Sequence, residues 1–382
     1  VGVPGTTATT KDRSAEIAPP GLEGLVVAET GIGDVRGLEG FYHFRGYSAT
    51  ELARKRSFED VLELMFSGEL PVAGSRVVPA DRELPKGLAD SLAPIASIGS
   101  PLEVLRSAVS LLGAELGWQP TLDISSEELV AQARRLCALV PTILTSADRL
   151  RRGLQPIPPR SDLSLAANYL FMMNGVEPEA RIARAVEQYL MLVIDHGFNA
   201  STFTTRVIAS TGADLAACIC GGIGALSGPL HGGAPSRALD MLDAIGDPAN
   251  TERFVRSVVT SGGRIMGFGH RVYKTDDPRS VLLHEVAREL DAPLLSFASQ
   301  VESVVEATLA ELKPGRELHA NVEFYAGVVM DACGIDRAMF TPTFAVGRMV
   351  GWCAHVIEQA ANNRLIRPAS RYVGPAAPRE VS

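Results

Sequence analysis

Positive charge is scarce in this chain: 36 lysines and arginines stand against 44 aspartates and glutamates in 382 residues, a formal net charge of -8. No basic tract interrupts that balance, which argues against general affinity for nucleic acid or an anionic membrane. Disulfide chemistry is missing too. The 5 cysteines are odd in number and lack framework spacing, and Cys218, Cys220, Cys333 and Cys353 sit in apolar helical patterns that read as reduced, buried packing. The longest uncharged run, Leu215 to Ser236, is broken by Gly221, Gly222, Gly224, Gly228 and Pro229 and contains His231. It therefore reads as a buried helix ending near Ser227, not as a membrane span. The first residues, VGVPGTTATTKDRSAEIAPP, show no hydrophobic core or cleavage pattern, so 1–20 are expected to be a flexible tail and the protein cytoplasmic.

Several chemistries fail for want of parts. The 7 histidines are scattered without HExxH or Cys/His pairing, so no metal site is expected. GGIGALS (Gly221 to Ser227) starts as G-x-G but follows no strand and opens no βαβ unit. G-x-S-x-G and the P-loop are absent.

What is present is mostly helix signal. A chain with 46% hydrophobic residues can bury one large core or two unequal ones. Between Gly21 and Tyr47, short apolar pieces separated by glycine (LVVAE, GIGDVRG, FYHFRGY) predict two or three short strands or a hairpin, the one β region. Ser48 with Glu51 predicts a capping box. Ser57 caps a helix with Phe58, Val61, Leu62 and Met65 on one face and Gly68 at its end, and Ser100 and Glu103 open another. Further helices are predicted over Ser126 to Ala138, Asp162 to Asn174, Pro178 to Ile194, Ala200 to Ser210, Asp214 to Leu226, Ala234 to Ile245, Thr251 to Val259, Pro278 to Leu290, Ser296 to Leu312 and Met339 to Ala361. The fold class is mainly α, with glycine-rich and amphipathic segments from Gly232 to about Gly334 forming a smaller unit.

Three strings stand apart from the helical background. Gly262 to Arg279, GGRIMGFGHRVYKTDDPR, crowds glycines, His270 and four cations into little core. Gly267 and Gly269 permit φ > 0 or close approach to a ligand, Arg271, Lys274 and Arg279 can neutralise an anion, and His270 can donate while neutral. SGPLHGGAPS sets His231 among small residues, where a helix N-terminus would depress its pKa. NVEFYAG sets Glu323 in an apolar run, where burial would raise its pKa. A lone arginine, Arg348, lies within Met339 to Ala354 and is costly to bury unless it meets an anion. Each string alone also fits a solvated turn, a capping histidine or a helix-terminal glutamate.

Together, GPLHGG, GFGHRVYK and NVEFYAG resemble the signature segments of the citrate synthase family, and the resemblance runs from about Gly21 to Gly374. It implies a two-domain helical fold with a small N-terminal β element: a large domain of 21–232 and 335–382, a small one of 233–334, and a cleft that closes on substrate. It also implies an acyltransferase that condenses acetyl-CoA with oxaloacetate and water to citrate and coenzyme A, through an enol and citryl-CoA. In that reading Glu323 takes the methyl proton, His231 stabilises the enol and His270 activates the ketone. His196, Arg279, Arg348 and Arg367 hold the dicarboxylate, Arg367 reaching in from the second subunit of a homodimer. Ile265, Met266, Gly267, Phe268 and Gly269 take the adenine of coenzyme A, with Lys274 near the phosphates and Lys313 and Arg316 as looser candidates. The thioester is a substrate, and no cofactor or metal is tightly bound. Family members usually carry aspartate where Glu323 stands, and many carry an acidic residue where Gly197 stands. The alternatives are a 2-methylcitrate synthase that uses propionyl-CoA and a non-catalytic paralogue that binds coenzyme A or dicarboxylates. The short front of the chain implies no response to NADH and a dimer in place of a hexamer.

Overall fold

A computed structural model describes residues 17–75, 81–229, 231, 234–270, 272–379 and 381, without the side chains of 234 and 235. Arg271, Leu230, Gly232, Gly233 and positions 1–16 of the expected tail lie outside the described residues. The chain gathers into two units, one of Ile32–Leu365 and one of the terminal segments. In the terminal unit Pro20–Leu22 makes a single 3-10 turn. The LVVAE piece forms no strand there: Leu25, Val26 and Val27 are exposed, and β propensity without a face to bury does not set a strand.

The larger unit opens with a small antiparallel sheet, β1 (Gly33–Arg36), β2 (Phe41–Phe44) and β3 (Tyr47–Ser48), in that spatial order. Gly33 faces Phe44, and Phe44 faces Tyr47. On β2 the side-chain alternation buries Tyr42 and Phe44 and turns Phe41 and His43 outward.

Fifteen helices follow among the described residues. They are α1 (Ala49–Lys55), α2 (Phe58–Ser67), α3 (Lys86–Ala96), α4 (Pro101–Glu115), α5 (Ser126–Arg151), α6 (Leu165–Asn174), α7 (Ala180–Leu192) and α8 (Ala200–Ala209). After these come α9 (Leu215–Leu226), α10 (Ala234–Ile245), α11 (Thr251–Thr260), α12 (Pro278–Glu289), α13 (Leu295–Leu312), α14 (Val322–Ala332) and α15 (Phe340–Ala361). The capping signals set most starts. Full boxes close at Ser57 with Asp60 and at Ser100 with Glu103. At α1 the box is only half made: the Glu51 N–H donates to the Ser48 hydroxyl at 3.3 Å, but the Glu51 carboxylate turns to Lys55 at 2.5 Å.

Some helices differ from the sequence expectation. α5 does not stop at Ala138 but continues through Pro141 to Arg151. The missing proline N–H costs about 3 kcal/mol. Burial of Leu139, Val140, Ile143 and Leu144, each contributing about 1.5–3 kcal/mol, outweighs it. α3 and α14 were not among the predicted helices; in α3 Pro94 lies near the end, while Leu88, Leu92 and Ala96 bury one i, i+4, i+8 stripe. The buried cysteines are Cys137, Cys218, Cys333 and Cys353, whereas Cys220 is partly exposed.

α15 runs through the core against α2, α5, α7, α8 and α9. Its approach to the end of α7 requires glycine. A Cβ on Gly347 would lie 2.5 Å from the Leu190 carbonyl oxygen and one on Gly351 only 2.0 Å from that of Ile194. Arg348, between them, is thereby delivered to the loop that carries His196.

Candidate active site

The loop after α7, the glycine-rich loop before α12, the first turns of α12 and α14, and the middle of α15 supply the site. Asp277 caps α12, with Pro278 at the first helical position. Its carboxylate accepts from the backbone N–H of Arg279 at 3.0 Å, from Arg279 Nε at 2.9 Å and Nη2 at 2.7 Å, and from the Val322 N–H that opens α14 at 3.1 Å. One buried acid thus locks Arg279 and fixes α14 relative to α12. Burial alone would raise the Asp277 carboxyl, but the Arg279 charge and these donors hold it below its usual value.

His270 is oriented by its backbone. Its Nδ1 faces the N–H groups of Val272 at 2.9 Å and Tyr273 at 3.1 Å. Both are donors, so the ring proton sits on Nε2. That N–H faces a second donor, Nη2 of Arg279, at 3.2 Å. Two donors this close, without an acceptor between them, form a niche for an electron-rich oxygen. Burial, then the Arg279 charge, depresses the His270 pKa to about 4, so the ring is neutral at pH 7. His196 lies edge-on to His270 with ring centroids 5.2 Å apart, its Nε2 3.0 Å from the Tyr273 hydroxyl. Burial and then Arg279 hold His196 well below its ordinary value as well.

Arg348 is buried and donates Nε to the Val193 carbonyl at 2.8 Å, with its guanidinium over the Phe344 ring. It makes no ion pair among the described residues. Asp195, the carboxylate whose charge acts on it, is taken by His355 at 3.1 Å. Burial lowers the Arg348 pKa to about 10, Asp195 acting in the opposite sense.

His231 follows α9, its Nε2 2.8 Å from the Ser201 hydroxyl, which also receives Trp352 Nε1 at 3.1 Å. The Ser201 proton has two claimants, His231 Nε2 and Asn199 Oδ1 at 2.8 Å; given to His231, it places the ring proton on Nδ1. The His231 pKa falls to about 4, as expected in direction, but burial is the first cause and Arg348 the second. Glu323 lies in the first turn of α14. There the helix dipole favours the charged form by up to about 2 kcal/mol, yet burial prevails and lifts the carboxyl to about 7.

Among the coenzyme candidates, Gly267 (φ 78°) and Gly269 (φ 81°) occupy the left-handed region. The loop is stitched to the strand-like stretch before α14: Asn321 N–H donates to the Gly267 carbonyl at 2.9 Å and Gly269 N–H to that of His319 at 2.8 Å. Phe268 bridges Ala320. Ile265 is buried, Met266 and Phe268 are half-buried, and Lys274 is exposed. A Cβ at Gly267 would lie 3.1 Å from Phe324, next to Glu323. Gly267→Ala is therefore expected to destabilise the protein by about 1–2 kcal/mol through left-handed strain, measured by denaturant unfolding, and to weaken catalysis more than stability predicts because α14 shifts.

The structure thus gathers His196, His270, Arg279, Arg348 and Glu323 within one electrostatic neighbourhood, with His231 linked to it through Arg348. Arg367 is exposed and belongs to the terminal unit. Residues that the sequence did not single out include Asp277, Tyr273, Ser201 and Trp352. Only Asp277 carried a signal, as the cap before a helix-opening proline.

Residues 21–369 match the family described as citrate synthase, C-terminal domain. The chain is 38% identical over 373 residues to 2-methylcitrate synthase of Mycobacterium tuberculosis, covering 96% of this chain and 93% of that one. It is 37% identical over 370 residues to citrate synthase 2 of Bacillus subtilis, covering 94% and 96%. Among solved structures, citrate synthase of Thermotoga maritima superposes with a TM-score of 0.83 at 37% identity, covering 95% of this chain and 97% of that one. The ternary complex of citrate synthase from Thermoplasma acidophilum with carboxymethyl coenzyme A and oxaloacetate gives 0.87 at 27% identity, covering 96% and 98%.

Proposed function

The chain belongs to the citrate synthase family, and from that premise we propose that it condenses acetyl-CoA with oxaloacetate and water to give citrate and free coenzyme A. The observation that carries this reading is the paired donor niche, His270 Nε2–H and Arg279 Nη2 at 3.2 Å. An α-keto acid presents both a ketone oxygen and a carboxylate oxygen to such a niche, and the unpaired Arg348 takes the far carboxylate. Glu323 removes a proton from the thioester methyl group while the His231 N–H donates to the thioester carbonyl, so charge developing on that oxygen meets a neutral donor. The new C–C bond forms at the ketone carbon, whose oxygen is polarised by His270. Water then cleaves the thioester of citryl-CoA. A pKa of about 7 suits Glu323 to take and return a proton near neutrality.

In this reading 233–334 form a small domain that closes on one of 21–232 and 335–382. The loop from Ile265 through Gly269 receives the adenine and Lys274 the phosphates, and Arg367 completes the oxaloacetate site of a partner subunit in a cytoplasmic homodimer. The likeness to 2-methylcitrate synthase supports a second reading with propionyl-CoA, because one methylene discriminates by only about 1–3 kcal/mol. Thiol release from each thioester, with and without oxaloacetate, is the test. A higher kcat/KM for acetyl-CoA is the expected result and the reverse order selects the second reading. Release that ignores oxaloacetate, or none with either thioester, ends both.

A further inference from the structure

Tyr189, on α7, is buried at 1% exposure, and its hydroxyl has no hydrogen-bond partner among the described residues. A phenol inside a packed core normally finds one, since an orphaned polar group is unfavourable where phenylalanine would fill the same space. The neighbouring Tyr169 on α6 shows the ordinary solution, pairing with the Thr343 hydroxyl at 2.9 Å. The helix that carries Tyr189 borders the site. α7 packs against α12, α14 and α15 as well as α1, α2 and α6. The charged and titratable groups that act on Tyr189 are Glu323 from α14 first, then Arg348 from α15, Tyr169 from α6 and Arg279 from α12.

Glu323 is half-buried, its side chain open in part to water. Its backbone N–H is bound to Asn321 Oδ1 at 3.0 Å, but its carboxylate accepts no hydrogen bond among the described residues. The charges acting on it are Arg279 and Asp277, and both are engaged with each other. A glutamate also has one more rotatable bond than an aspartate, so a base of this length needs an anchor to hold its oxygen at the methyl carbon. A buried donor without an acceptor therefore sits on a helix packed against the one that carries a carboxylate without a protein donor.

We propose that Tyr189 is the positioning residue for Glu323, its O–H donating to the Glu323 carboxylate in the working conformation of the site. The proposal rests on the catalytic reading above for what the pairing accomplishes, though not for whether it forms. A hydrogen bond to the charged carboxylate favours that form, so removing it raises the Glu323 pKa and frees the side chain to wander.

Tyr189→Phe tests it. The fold tolerates the change, and the melting temperature is expected to be unchanged or higher, because the orphaned hydroxyl disappears. Expected in catalysis are a fall in kcat of about tenfold, a KM for oxaloacetate within about twofold of the parent, and an acid limb of the kcat profile displaced upward by about one pH unit. The decisive readout needs no turnover: the side-chain carboxyl carbon of Glu323, assigned in carbon-13 spectra by its loss in Glu323→Gln, is titrated free and with oxaloacetate. A midpoint raised by Tyr189→Phe in either state supports the pairing. A midpoint unmoved in both overturns it, whatever the rate. A parent protein that releases no thiol ends the catalytic reading separately, and the titration still decides this one.

Discussion

Glu323→Gln is expected to lower oxaloacetate-dependent thiol release by about 10²–10⁴-fold, the usual contribution of a positioned general base, with little change in oxaloacetate binding. Unaltered turnover would remove Glu323 from the mechanism. The base acts deprotonated, so with a pKa of about 7 the parent kcat/KM should rise with pH through neutrality and level off above it. The same shift has an opposite sign in stability. The folded pKa lies above the unfolded value near 4.5, so folding favours the protonated carboxyl. That stability is fully present below pH 4.5 and is lost as pH rises through about 7. Glu323→Gln should therefore be more stable than the parent at pH 8 by on the order of 2 kcal/mol, allowing for partial exposure, and the gain should vanish below pH 4.5. Denaturant unfolding of both proteins at the two pH values measures it.

Arg348→Met is expected to raise the KM for oxaloacetate by about 10²-fold or more, since a charge-assisted pair with a substrate carboxylate is lost, and to raise thermal stability at the same time. Arg348 is buried at 2% exposure, and its Nε is satisfied only by the Val193 carbonyl. An apolar side chain of similar volume removes the desolvation burden, a gain of about 1–4 kcal/mol by analogy with buried ion pairs replaced by hydrophobic residues. Arg348→Lys separates charge from shape: it keeps the cation but loses the planar fork, so affinity should recover only in part. A Met variant with unchanged KM would show that the guanidinium serves packing alone. Dicarboxylate titrations and melting curves on the three proteins give both numbers.

Sequence patterns and tertiary packing contributed differently to these expectations. Helix starts at Ser57 and Ser100 were legible because capping uses neighbours three residues apart. The run of α5 beyond Pro141 was not, since a local rule about proline carries no information on how much apolar surface the rest of the chain will cover there. His231, His270, Arg279, Arg348 and Glu323 stood out as residue types in unusual company. Tyr189 did not, because a tyrosine on the apolar face of an amphipathic helix looks like any other packing residue. Its distinction is a missing partner, and the groups that could have been partners come from α12, α14 and α15, at least ninety positions further along.

By itself the sequence determined the mainly helical class, the family and the residues able to donate, accept or carry charge, since these depend on residue type and short-range spacing. Only the tertiary structure decided which of those groups are neutral, which nitrogen of His270 bears the proton, that Asp277 joins Arg279 to α14 and that, among the described residues, Arg348 lacks an ion pair and the Tyr189 hydroxyl a hydrogen bond. The physical reason is that burial and pairing belong to what distant segments bring to a point, and a hydrogen bond or a desolvated charge depends on its surroundings within a few ångströms.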